Sequence, residues 1–219
     1  MVSPRKIISF SLWGDDKKYT IGALRNAELA SSIYPGWICR FYLGKSVPLD
    51  ICEELQEFSN SETIDVSEKG DWTSTFWRFL AADHSNDIVL SRDTDSRLNK
   101  REKAAVDEWL NSDKDFHIMR DHPYHATEIL AGMWGCRNGI LEGIGDLIDD
   151  YQKENFWQVD QNFLREEIYP LVKDRSYVHD EFFEKKPFPT KRENREFVGE
   201  AYNHLGERNP EHYLLVQNE

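Results

Sequence analysis

Apolar residues along this chain alternate between two rhythms. Residues 6–13 (KIISFSLW) form a short β-rich apolar run of the kind expected for a strand buried on both faces. After the polar stretch GDDKK, residues 19–33 carry Ile21, Leu24, Ala27, Leu29 and Ala30 at helical spacing. Pro35-Gly36 marks a turn, and residues 37–43 return to strand character. The alternation continues with a helix over 49–58, a strand over 62–66 and a helix over 73–82 that a Ser or Thr caps. A strand over 87–91 (DIVLS), a helix over 101–110, a strand over 115–120 and helices over 141–151 and 160–168 follow. Strands interleaved with helices predict an α/β layered fold, a mostly parallel central sheet flanked by helices. No repeat, low-complexity tract or linker interrupts the pattern, so one domain over residues 1–219 is expected, with a polar and partly mobile tail over 188–219.

Composition narrows the function. The chain carries 40 acidic against 27 basic residues, a net charge of −13 that repels nucleic acid and anionic lipid, and any phosphate ligand needs a local cation. Cys39, Cys52 and Cys136 form no CxxC pair and no even set, which suits buried thiols in a reducing compartment. No stretch reaches the ~18 apolar residues of a membrane span, and the first apolar run lacks a small-residue cleavage site. A cytoplasmic location is expected. The seven Trp, nine Tyr and twelve Phe supply flat rings for the core and, in part, for a pocket.

The most informative stretch is IVLSRDTDSR. Asp93 and Asp95 stand two apart, just beyond the carboxyl end of a predicted buried strand, where ligands of open α/β sheets bind. Two carboxylates on a tight turn can hold one hard cation and leave coordination positions for phosphate oxygens and water.

The run FWRFLAADHSNDIVLSRDTDSRLNKREKAAVDEWL, followed by FHIMRDHPYH and AGMWG, resembles glycosyltransferases of the GT-A fold with a DxD motif. The similarity is to bacterial polysaccharide enzymes and to the N-terminal glycosyltransferase module of a multidomain protein of large algal (chlorella) viruses. It extends over residues 6–201. It implies a single-domain, Rossmann-like GT-A fold and transfer of a hexose or deoxyhexose, such as glucose or rhamnose, from a nucleotide sugar to a glycan or glycoprotein acceptor. UDP is the nucleotide by family tendency, Mn²⁺ or Mg²⁺ the metal, and the host cytoplasm the location if the source is viral.

By this resemblance, Asp93, Thr94 and Asp95 bind metal and donor, and Ser9, Phe10, Ser11, Leu12 and Trp13 hold the nucleobase. Arg78 lies near the nucleotide, while Gly132, Met133 and Trp134 lie under the transferred sugar. His179 in YVHD is the third metal ligand. Read from the residues and not from the resemblance, the basic pair Lys191 and Arg192 is a candidate to reach the diphosphate, against the reading of a solvated pair in a polar tail. Asp160 in VDQ matches retaining members of the class, which favours retention, and Asp160 or Asp121 supports the transition state or takes the acceptor proton.

Alternatives remain open at this stage. A sugar-nucleotidyltransferase would open with a Gly-rich basic loop, and WGDDKK has one Gly. A dehalogenase-type phosphatase would place its DxD after the first strand, and no GxxxxGK[ST] loop occurs. His122 and His125 in HPYH lack a further ligand at zinc spacing and read as a loop. A non-catalytic module that holds a nucleotide sugar or glycan is the non-enzyme reading.

Overall fold

A computed structural model describes residues 3–84 and 87–218. The two ends of the expected 1–219 domain, and Ser85 and Asn86 within the long block quoted above, lie outside the described residues. The strands are β1 (Lys6–Leu12), β2 (Ile38–Gly44), β3 (Ser61–Val66), β4 (Ile88–Ser91), β5 (Phe116–Arg120), β6 (Trp134–Cys136) and β7 (Ser176–Asp180). They form one sheet in the order β3-β2-β1-β4-β6-β5-β7. Every pairing is parallel except those of β6, which runs antiparallel to β4 and β5.

Crossover helices α1 (Lys17–Ile33) and α2 (Leu49–Glu57) carry the chain outward from β1 to β3, and β4 then returns to the other side of β1. The chain reverses its direction of travel between β1 and β4. A crevice therefore opens at their carboxyl ends, because the connections leave on opposite sides there.

The period-two alternation of side chains sends successive residues of β1 to opposite faces of the sheet. Ile8, Phe10 and Leu12 join the core layer under α1 and α2, while Ile7 joins the layer on the opposite face. Phe10 stacks on Phe41 at 4.9 Å between ring centroids and is fully buried.

The structure departs from the sequence reading in two places. Residues 73–82 belong to a 3-10 segment, Trp72–Asp83, rather than an α-helix. Its cap is Asp71, which forms a reciprocal box with Ser74, and the Arg78 amide donates to Ser11 Oγ at 2.9 Å. β6 and β7 were not predicted as strands: β6 spans three residues, too few for a periodic signal. Within residues 188–218 the chain is packed in part and exposed in part. Phe197, Val198 and Val216 are buried, Ser96 bridges to Ala201, and the Tyr202 amide donates to the Asp95 carbonyl at 2.8 Å.

The remaining helices are α3 (Lys100–Leu110), α4 (Ile144–Asp150), α5 (Val159–Phe163), α6 (Tyr169–Val172) and α7 (Pro210–Tyr213), with the π-turn Leu164–Ile168 joining α5 to α6. No helix among the described residues is long and apolar enough to cross a membrane.

Candidate functional site

A cleft of about 680 Å³ opens at the carboxyl ends of β1 and β4. Ser11, Leu12 and Trp13 form one wall, Asp93, Thr94 and Asp95 the floor, and Gly132 and Met133 the side toward β6. Asp160 enters from α5 and Arg78 from the 3-10 segment.

Arg78 ties the site together. Its Nη1 donates to Asp93 Oδ1 at 2.6 Å and its Nη2 to Asp160 Oδ2 at 2.7 Å, while the buried Nε has no partner. The guanidinium fork thus joins carboxylates 67 positions apart in sequence (160 minus 93). On the other side of the turn Lys18 Nζ lies 2.6 Å from Asp95 Oδ2. Burial raises the Asp95 carboxyl above its usual range, the nearby Asp93 charge raises it further, and Lys18 opposes both. Burial likewise raises Asp160, against the pull of Arg78.

Three carboxylates (Asp93, Asp95, Asp160) face two cations (Arg78, Lys18), so the cluster keeps a formal net charge of −1, with Asp95 and Asp160 largely buried and Asp93 half-exposed. That balance, and the all-oxygen donor set of Asp93 and Asp95, fit a hard divalent cation. Among the described residues no three His, Cys, Asp or Glu side chains are grouped to hold a metal by themselves. The remainder of such a cation's coordination shell would have to come from a ligand and water.

Backbone approach makes the floor possible. A Cβ on Gly132 would lie 2.0 Å from Asp93 Oδ2, so only glycine leaves room for that carboxylate. Gly132→Ala is expected to displace Asp93 from Arg78 and to cost about 1–3 kcal/mol by overpacking, read as a lowered midpoint in chemical denaturation.

Several expected residues are not brought to the cleft. His179 sits on β7, with β5 and β6 between it and β4. Both of its ring nitrogens are engaged, Nδ1 with His117 Nε2 at 2.8 Å and Nε2 with Glu108 Oε2 at 3.0 Å. It borders a separate groove of about 460 Å³ and cannot complete a metal shell at Asp93. Asp121 is fully buried under Arg101, Arg192 and the Val198 amide, a structural anion rather than a base open to substrate. Trp134 is core, stacked on Phe116 at 5.5 Å, and has no face to offer a sugar. Phe10 and Ser9 are buried within the sheet layers, Lys191 is exposed, and none of the three lines the cleft.

Other residues enter the cleft unannounced by the sequence. Trp157, 65% exposed, and Tyr124, 67% exposed, present open rings at its margin. His125 also lines it. Its Nδ1 accepts the Asp121 amide at 3.0 Å, which leaves the proton on Nε2, and burial pushes its pKa down to about 3, so the ring is a neutral donor. The HPYH run was the only hint, and it pointed to metal or loop rather than to a cleft wall. Among the described residues no metal cluster forms there.

No protein-family model matches the chain, and no curated protein matches it. Solved structures do. A glycosyltransferase involved in glycosylation of the major capsid of PBCV-1 aligns with 84% of this chain and 91% of its own, at 18% identity and a TM-score of 0.53. A mannosyltransferase from Pyrobaculum calidifontis, solved with GDP-Man and Mn²⁺, aligns with 82% of this chain and 56% of its own, at 12% identity and a TM-score of 0.55. Glucosyl-3-phosphoglycerate synthase from Mycobacterium tuberculosis, solved with UDP, aligns with 87% of this chain and 73% of its own, at 14% identity and a TM-score of 0.51. With its seven-stranded, mostly parallel sheet and flanking helices, the chain has the fold of the GT-A glycosyltransferases, the class to which these structural neighbours belong.

Proposed function

We propose that the cleft binds a nucleoside-diphosphate sugar, UDP-linked, and transfers its hexose or deoxyhexose to a glycan or glycoprotein acceptor. The observation that carries this reading is the Asp93–Arg78–Asp160 bridge at the point where the sheet reverses, beside a second carboxylate at Asp95. Neighbours solved with GDP-Man and Mn²⁺ and with UDP support a nucleotide-sugar ligand for the shared fold.

Asp93 and Asp95 would hold a divalent cation, Mn²⁺ or Mg²⁺, which when bound neutralises charge on a departing diphosphate. The protein's own residues do the rest. Arg78 keeps Asp93 and Asp160 at fixed separation and contributes positive charge beside the diphosphate. Asp160, oriented by Arg78 and by the Gln161 amide at 2.9 Å, is assigned to the anomeric centre, with retention of configuration as the stereochemical reading. Trp13, packed edge-on against Trp72 at 6.2 Å, provides a wall for the nucleobase. Trp157 and Tyr124 offer flat faces, and His125 a neutral N–H, to sugar hydroxyls and rings on the acceptor side.

The reading is tested by thermal-shift assays with UDP and GDP, each with and without Mn²⁺, on the wild type and Asp95→Asn. A ligand specific to the folded state adds roughly 2.7 kcal/mol at a hundredfold excess over Kd. UDP with Mn²⁺ is expected to raise the wild-type midpoint more than either alone, and D95N to lose that gain together with metal-dependent transfer. No shift with either nucleotide in the presence of metal would overturn the proposal. Binding without slow hydrolysis of the UDP-sugar would point instead to a non-catalytic module.

A further inference from the structure

Helix α1 grips the DxD turn along a single stripe. Lys18, Gly22 and Asn26 recur every four residues and therefore share one face of the helix. Asn26 Nδ2 donates to the carbonyls of Thr94 at 3.3 Å and Ser96 at 2.9 Å, and its Oδ1 accepts the Leu98 amide at 3.1 Å. One turn earlier, a Cβ on Gly22 would lie 2.0 Å from the Thr94 carbonyl oxygen, so the two backbones touch. One turn earlier again, Lys18 reaches Asp95 Oδ2 at 2.6 Å. The first two contacts set the helix against the turn, and the third follows from them.

A lysine is out of place there by helix electrostatics alone. The first turn of a helix exposes N–H groups and favours acids, yet α1 has no acid in its first turn and carries Lys17 and Lys18. The Lys18 side chain is 37% exposed and that of Asp95 only 18%. A partly solvated ammonium thus covers a largely buried carboxylate. Arg78 is different, being buried and anchored to Asp160 as well as Asp93.

We infer that Lys18 is an exchangeable counter-ion of Asp95, holding the carboxylate until a divalent cation displaces it, so that this lysine sets the cation affinity of the site. The inference rests on the metal reading proposed above. A lysine bound to a ligand oxygen competes with a cation for that oxygen and repels it by Coulomb's law. The long, flexible stem lets the ammonium withdraw into solvent, which the planar fork of an arginine held by two acids does not allow. Binding of the cation and release of Lys18 from Asp95 are then one exchange.

The experiment is titration of the full-length protein with Mn²⁺ alone, free Mn²⁺ being read by electron paramagnetic resonance, at constant pH and ionic strength. Wild type, Lys18→Met, Lys18→Gln, Lys18→Arg and Asp95→Asn are compared. Removing the competing charge is expected to tighten Mn²⁺ binding about three- to tenfold in K18M and K18Q, K18R to stay near wild type, and D95N to lose binding. Having two neutral variants guards against a misfolded one. Unchanged or weaker binding in the folded neutral variants, with D95N still deficient, overturns the exchange and leaves the metal site standing. Absence of binding in all proteins, or binding indifferent to D95N, overturns both.

Discussion

Arg78→Met is expected to lower stability by about 3–5 kcal/mol, because it removes the cation paired with the buried Asp160 carboxylate and leaves that charge mainly the Gln161 amide. Turnover should fall roughly 100-fold or more, the scale seen when one preorganised donor is removed from a reacting centre. Arg78→Lys should recover part of the stability but not the bridge, since one ammonium cannot present the fork that joins Asp93 to Asp160.

The pH dependence has a definite sign. Asp160 sits above its usual carboxylate value because burial disfavours its charge, and Arg78 holds that rise in check. A group raised in the folded state contributes stability that is complete below its unfolded value, about 3.9 for Asp, and lost as pH rises through the folded value. Without Arg78 the folded value climbs further. The deficit of R78M should therefore be smallest in acid and largest at neutral pH, measured by urea denaturation at about pH 4 and pH 7.5 against wild type. An equal deficit at both would refute the assignment of Asp160 as the stranded group.

Asp121→Asn should show the opposite pattern, a large loss of stability with little change in chemistry. The Asp121 carboxylate is fully buried and receives Arg101 at 3.0 Å, Arg192, and the Val198 amide at 2.9 Å. Neutralising it leaves two guanidinium groups facing an amide, at a cost of about 3–5 kcal/mol and a midpoint lowered by roughly 10 °C or more. Transfer per folded molecule, assayed well below the lowered midpoint, should stay within a few-fold of wild type. A hundredfold fall in a folded D121N would restore Asp121 to the chemistry.

This contrast between two aspartates marks the limit of motif reading. Asp93, Asp95 and Asp160 are all in the cleft, and the first two were legible because they follow a buried apolar run, a position with a known topological meaning. Asp121 follows β5 in the same way, yet the segment over 188–198 returns to cover it with Arg192 and the Val198 amide. Nothing local to Asp121 announces that return. His179 failed for a related reason: one register on β5 aligns it with Met119 and sets its ring against that of His117, at the far edge of the sheet.

The face of a strand residue was only half legible. Alternation along β1 separates Phe10 from Ser9 and Ser11, but Ser11 reaches the cleft and Ser9 does not, because the cleft begins where β4 ends. Gly132 and Trp134 were expected in one role as members of AGMWG. They diverge because the chain becomes strand at Trp134 and turns its indole into the core.

Local periodicity, read from the sequence alone, determined the first five strands, β1 to β5, most of the helices, the α/β layering and the acidic turn after β4, since each depends on residues a few positions apart. The tertiary structure alone decided which charges meet: Arg78 with Asp93 and Asp160, Lys18 with Asp95, and Arg101 and Arg192 with Asp121. Those partners come from distant segments, and their pairing follows from sheet order and helix packing. Pairing and burial together set whether a carboxylate serves as ligand, base or structural anion, and neither is encoded within its own stretch of chain.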